Sequence, residues 1–264
     1  MSRSGTASET STGTGPSAEQ EASDQADLQS SLHDLAGLVT GILGLDELLG
    51  RVATFAVRAV PGADGAGVAL LEMTPDRHRV QALASSAPFV AQIDEIQYGT
   101  LDEGPCITAA RERRAVRSGS LGGEKMWPRF GPRVGRLGVH SALSIPLLLP
   151  DRLVGAINVY AREKHVFGQH ASDLGEEFAS PAAVSVHNAQ VLAAAQRLAA
   201  QLQRALTSRA IIDQAIGLIR GRSGGTAQEA FARLRRISQA EHLKLSDVAE
   251  RIVTDAVRRA GPRR

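Results

Sequence analysis

The chain has 264 residues, 22% charged and 43% hydrophobic, with a formal net charge of +2. Aromatic residues make up only 3%, so a core must be built mainly from Ala, Val, Leu and Ile. No apolar stretch approaches the ~18 residues of a membrane span, no basic-then-apolar leader opens the chain, and a single cysteine, Cys106, excludes an internal disulfide or a multi-cysteine zinc site. A soluble cytoplasmic protein is expected.

Residues 1–26 are mostly Ser, Thr, Gly, Glu and Gln with little to bury, the composition of a disordered tail. Order is expected from near Asp27, in a sensor region reaching residue 190. There Leu28, Leu32, Leu35, Val39 and Ile42 follow the 4-3 spacing of one helical seam. The pattern continues through Leu45, Leu48, Leu49 and Val52, with a break near residues 41–44, and Pro61-Gly62 stops it. From 63 to 161 the texture changes to short apolar runs between turn residues. The runs 66–73, 80–84, 141–149 and 153–160 read as strands, and Pro150-Asp151-Arg152 joins the last two as a hairpin. Hairpin-linked strands between helices predict an α+β domain.

From residue 171 to about 220 the chain predicts one long helix. Val184, Asn188, Val191, Ala195, Leu198, Leu202, Ala205, Arg209 and Ile212 repeat the 4-3 spacing, which predicts a dimeric coiled coil. Val184, Val191, Ala195, Leu198, Leu202 and Ala205 are the candidate dimer contacts, with the 28–49 helices joining them. The region 191–264 is then linker plus a C-terminal module. Glycines at 221–225 end the long helix. Thr226 and Glu229 form a capping box for the next, with Ala230, Phe231, Leu234 and Ile237 on one face. Ser246 is the expected N-cap of a third helix whose apolar face is Val248, Ala249, Ile252, Val253 and Val257. Residues 201–264 carry 13 Lys+Arg against six Asp+Glu, which suits an anionic partner for that end.

The segment 208–217 (SRAIIDQAIG), the pattern of Ala230, Phe231, Leu234, Arg235 and Ser238, and the run from Lys244 to Ala249 together resemble the ANTAR domain. That family is a three-helix RNA-binding module of bacterial transcription antiterminators. It usually has Lys at the position of Ile216 and Met at that of Arg220. The segments 92–98 (QIDEIQY), 103–106 (EGPC), 127–130 (WPRF), 138–146 and 154–160 resemble a GAF sensor domain. The resemblance implies a GAF-type antiparallel sheet with flanking helices, a long coiled-coil linker helix and a C-terminal three-helix ANTAR module. It implies a homodimeric, non-enzymatic regulator that binds paired stem-loops in nascent mRNA and prevents a terminator from forming. A small-molecule or protein signal would act at the GAF domain, whose ligand the residues leave open. No cofactor, metal or membrane partner is indicated.

RNA readout relies on phosphate contacts and on unstacked bases held by hydrogen bonds and stacking. Phe231 is assigned to the core, so stacking falls to arginine. Arg209, Arg220, Arg235, Arg236 and Lys244 are the candidate cations, and Gln214, Ser238 and Gln239 the candidate base-edge groups. A regulator acting through protein–protein contacts and a DNA-binding helix-turn-helix are the alternatives. The second is disfavoured by Asp247, Glu250 and Asp255 on the third helix, which would meet phosphates badly. Cys106 with His140 is the one conceivable nucleophile pair, and a buried structural thiol is the expected role of Cys106.

Overall fold

A computed structural model describes residues 16–38, 43–74 and 78–260. The chain divides into two compact units, Met1–Ala193 and Ala194–Arg264. The first is α+β. Its five antiparallel strands are β1 (Gly65–Met73), β2 (His78–Ser85), β3 (Val116–Ser118), β4 (Ser141–Leu148) and β5 (Leu153–Ala161), in the order β2-β1-β5-β4-β3. The expected hairpin joins β4 to β5, closed by paired main-chain bonds between Leu149 and Arg152.

Alternation along the strands sorts the two faces. Ala66, Val68 and Leu70 of β1, Leu143, Ile145 and Leu147 of β4, and Ile157 and Val159 of β5 pack beneath three helices. These are α1 (Ala18–Ala36), α2 (Leu45–Ala59) and the start of α6 (Gln169–Ser223). The opposite face is covered by α3 (Pro88–Asp94), a π-helical turn (Glu95–Leu101), α4 (Pro105–Glu112) and α5 (Phe130–Gly135). Sequence periodicity did not register these short helices, because one or two turns give too few repeats. Gly155 of β5 sits where a Cβ would stand 2.1 Å from the Ala69 carbonyl oxygen. Gly155→Ala must push two paired strands apart, and urea unfolding should show a loss of about 3 kcal/mol.

Three expectations change here. The first helix begins at Ala18 rather than near Asp27, so residues 18–26 are helical rather than tail. Ser17 caps it by accepting from the Gln20 N–H, and buried Asp24 lies 2.9 Å from His170 Nε2 of α6. That partner is 146 residues away and invisible to local pattern. Secondly, Leu28 and Leu35 are buried in the unit's own core, so the apolar seam of this helix is not free for a second chain. Val39 and Ile42 of the seam, like residues 1–15 of the tail, lie outside the described residues. Thirdly, α6 runs through Gly221 to Ser223 and includes Pro181. Gly224 and Gly225, at φ of 71° and 88°, end it.

The second unit holds the C-terminal part of α6 with α7 (Ala227–Glu241) and α8 (Leu245–Ala260). Ala215, Leu234, Val248 and Ala249 form its buried centre, flanked by Ile211, Ile219, Ile237 and Ile252. The capping box forms as read: Thr226 Oγ1 accepts from the Glu229 N–H, and Glu229 Oε2 accepts from the Thr226 N–H. The third helix starts at Leu245, which places Ser246 inside its first turn rather than at its cap. Val257 is 68% exposed and leaves the apolar face.

Candidate functional site

The α7–α8 turn is held by one residue. The Ser238 carbonyl accepts the N–H groups of His242 and Leu243, and its hydroxyl donates to the Leu243 carbonyl at 2.6 Å. His242 takes the left-handed conformation there, φ 54°. Ser238 was expected at a base edge, yet its proton is committed to the turn.

Around this frame the other candidates are exposed: Arg209, Gln214, Arg220, Arg235, Arg236, Gln239 and Lys244. Arg209 stands 4.0 Å from Asp213 one turn on, with both side chains mostly in water, so that pair restrains it weakly. Arg220 donates from Nε to the Gly225 carbonyl at 3.3 Å and so braces the loop between α6 and α7. Arg233 and Arg251 are likewise occupied, by Ser223 and Glu241. Among the described residues the side chains of Arg235, Arg236 and Lys244 have no hydrogen-bond or ion-pair partner. Free guanidinium groups on a helix surface retain their full capacity for phosphate oxygens and base faces.

Phe231 changes role. It is 39% exposed, whereas Ala230 and Leu234 are buried. The second unit's one aromatic residue therefore offers ring surface to solvent, one turn before Arg235. The helical face closes on 230, 234 and 237, and residue 231 stands about 100° round from 230. On the long helix, Val184, Val191, Leu198 and Leu202 are 49%, 55%, 57% and 57% exposed, and Ala195 and Ala205 are exposed as well. Leu206, absent from the predicted seam, is 65% exposed.

In the first unit, segments far apart in the chain meet. Glu103 accepts from the main-chain N–H groups of Arg129 (2.8 Å) and Phe130 (3.0 Å) and from the Arg129 side chain, and Trp127 Nε1 donates to Thr108 at 3.0 Å. Burial raises the Glu103 carboxyl's pKa, but these donors outweigh it and hold the group below its ordinary range. Behind them lies a buried polar layer on the sheet. Asn158 accepts from Ser144 at 2.8 Å and approaches the Tyr98 hydroxyl at 3.5 Å, and the Cys106 N–H donates to Gln97 Oε1 at 3.3 Å. Asp94 Oδ1, Gln97 Nε2 and Tyr160 Oη are buried there without a hydrogen-bond partner.

Burial pushes the Asp94 carboxyl up to about 7 and the Cys106 thiol up to about 12. A thiol held protonated is a poor nucleophile, and among the described residues no hydrogen bond joins Cys106 to His140. Among the described residues no group of three or more His, Cys, Asp or Glu side chains could hold a metal, and no helix is long and apolar enough to cross a membrane.

The family model of the GAF domain matches residues 43–187, more than half of the chain. The chain belongs to the GAF family. The model of the ANTAR domain matches residues 200–253, so a GAF domain is followed by an ANTAR domain. Solved structures similar to this chain include the GAF domain of a phosphoenolpyruvate-protein phosphotransferase from Coxiella burnetii (17% identity, 66% of this chain, 98% of that one, TM-score 0.49). Another is the free methionine-R-sulfoxide reductase of Neisseria meningitidis in complex with its substrate (14% identity, 67% and 96% covered, TM-score 0.48). No curated protein matches the chain. The exposed cations Arg209, Arg220, Arg235, Arg236 and Lys244 all fall within the ANTAR segment, and the buried polar layer falls within the GAF segment.

Proposed function

We propose that the chain is a cytoplasmic transcription antitermination regulator rather than an enzyme. Its ANTAR domain binds one stem-loop of a hairpin pair in nascent mRNA, and holding that pair excludes the overlapping terminator. The observation that carries this reading is the free, exposed pair Arg235 and Arg236 on α7 beside exposed Phe231. Together they offer what RNA loops are read by: guanidinium groups for phosphate and an aromatic face for an unstacked base. Arg209, Gln214, Arg220, Gln239 and Lys244 complete the contact surface, and Ser238 shapes it through the turn. A homodimer formed through Val184, Val191, Ala195, Leu198, Leu202 and Ala205 presents two such domains to the two hairpins. A signal at the GAF domain modulates binding.

Gel mobility shifts of paired-hairpin RNA, single-hairpin RNA and duplex DNA at two salt concentrations test this reading. Preference for the paired RNA should survive the higher salt, because phosphate attraction alone fades steeply with ionic strength. Equal binding to all three, erased by salt, would leave only a basic end on a sensor domain.

Phe231 gives a finer test. Phe231→Ala should weaken paired-RNA binding about tenfold, the scale of one lost stacking contact. Thermal unfolding should fall by only a few degrees, since the ring lies outside the buried centre of Ala215, Leu234, Val248 and Ala249. Unchanged affinity in this variant would remove Phe231 from the interface.

A further inference from the structure

β3 is three residues long and pairs only with Ala142, Leu143 and Ser144 of β4. From Ile145 to Leu148, no strand among the described residues lies beside β4 on that edge. α6 comes down on this strand at Gly175, where a Cβ would stand 2.4 Å from Ile145 Cδ1. One turn later it presents only the small residues Ala179 and Ser180. Close approach followed by small side chains, over an uncovered edge, leaves a cleft of about 230 Å³. Its floor is apolar: Ile145, Pro146, Leu148 and Ala179. Its rim is polar: Arg113, Arg114, Glu176 and Ser180.

The rim charges are not equally available. Arg114 is taken up by Glu112. Arg113 is exposed and has no hydrogen-bond or ion-pair partner among the described residues. It caps α4 in the left-handed conformation, φ 53° and ψ 35°, a place usually given to Gly or Asn. Glu176 is exposed, and among the described residues its carboxylate accepts only from Ser172, by one oxygen. One unpaired cation and one carboxylate with a single oxygen engaged thus stand over an apolar floor.

We propose that this cleft binds an apolar α-amino acid. Its carboxylate pairs with the Arg113 guanidinium, its ammonium group with Glu176, and its side chain lies on Ile145, Pro146 and Leu148. A lone anion would leave Glu176 unanswered and a lone cation would leave Arg113 so, whereas a zwitterion satisfies both. The volume also suits a solute of this size, being below the roughly 300–1,000 Å³ of cofactor and drug-sized pockets. None of these residues belongs to the buried polar layer or to the ANTAR segment, so the site is independent of the RNA reading.

The test is a titration of the full chain followed by ligand-observed NMR, with L-leucine, leucinol (no carboxylate), 4-methylpentanoate (no ammonium) and inorganic phosphate. Leucine should saturate with Kd on the order of 1 mM, as its few heavy atoms permit. Each truncated analogue should bind at least about tenfold more weakly. Arg113→Gln and Glu176→Gln are surface changes that should leave the unfolding midpoint in place and remove leucine binding. 4-Methylpentanoate or phosphate binding as tightly as leucine would overturn the assignment. So would undiminished leucine binding in Arg113→Gln, or failure of leucine, valine and methionine alike to saturate.

Discussion

Replacing Leu198 and Leu202 together by Asp should cut affinity for paired-hairpin RNA by about 100-fold, while affinity for a single hairpin stays within about twofold. The split follows from where the two side chains lie. Each is 57% exposed in the single chain, so changing them removes little from its own core. In a dimer seam the same positions would face their copies, and four carboxylates brought together there would separate the helices. A monomer binds one hairpin as before. It loses the second, tethered contact, whose effective concentration supplies the extra affinity. Sedimentation of the variant should give the monomer mass, and titrations of both RNAs should diverge. Equal losses on the two RNAs, or an unchanged mass, would sink the seam.

The sequence reading succeeded where causes are local. Pro150-Asp151-Arg152 specifies a hairpin, and Thr226 with Glu229 specifies a helix start, because the bonds that form join residues only three apart. Family likeness supplied the order of the two domains, and their segments carry matching family models. Periodicity failed wherever a distant partner decided the outcome. Asp24 looked like one more acidic tail residue until His170 stood beside it. Leu28 and Leu35 had the spacing of an intermolecular seam, yet α2 and the unit's own core consume them first. Spacing says that a face is apolar, not what covers it.

The candidate interface divides the same way. Arg235 and Arg236 could be picked from sequence because an arginine on a polar helix face stays exposed unless an acid reaches it. That Ser238 would give its hydroxyl to the Leu243 carbonyl, and that Phe231 would miss the core, depended on how the turn after α7 brings α8 back. The buried polar layer had no local signature either. Asp94, Gln97, Tyr98, Cys106, Asn158 and Tyr160 come from one helical stretch, a neighbouring helix and a strand some fifty residues further on, and only the fold stacks them.

That layer makes the GAF domain's stability depend on pH, and a neutral variant isolates the cause. Asp94 is 4% exposed and its carboxyl is raised from 3.8 to about 7 by desolvation, and among the described residues it has no ion-pair partner. Below pH 4 the group is protonated whether the chain is folded or not. Between pH 4 and 7 the folded chain keeps a proton that the unfolded chain releases, so stability falls by up to about 1.4 kcal/mol per pH unit. Above pH 7 the carboxylate is charged in both states and the loss levels off at about 4 kcal/mol. Tyr98, Tyr160 and Cys106, which share the layer, are pushed upward by burial and stay neutral throughout this range. Trp127 is the chain's only tryptophan and lies in the same cluster as Val90 and Ile93 of α3, so its fluorescence reports this unit's unfolding. Urea curves at pH 5 and pH 8 should separate for the parent protein and draw together for Asp94→Asn, which keeps the volume and cannot ionise. At pH 8 the variant should be the more stable of the two. Curves that shift with pH by the same amount in parent and variant would show that Asp94 carries no charge penalty.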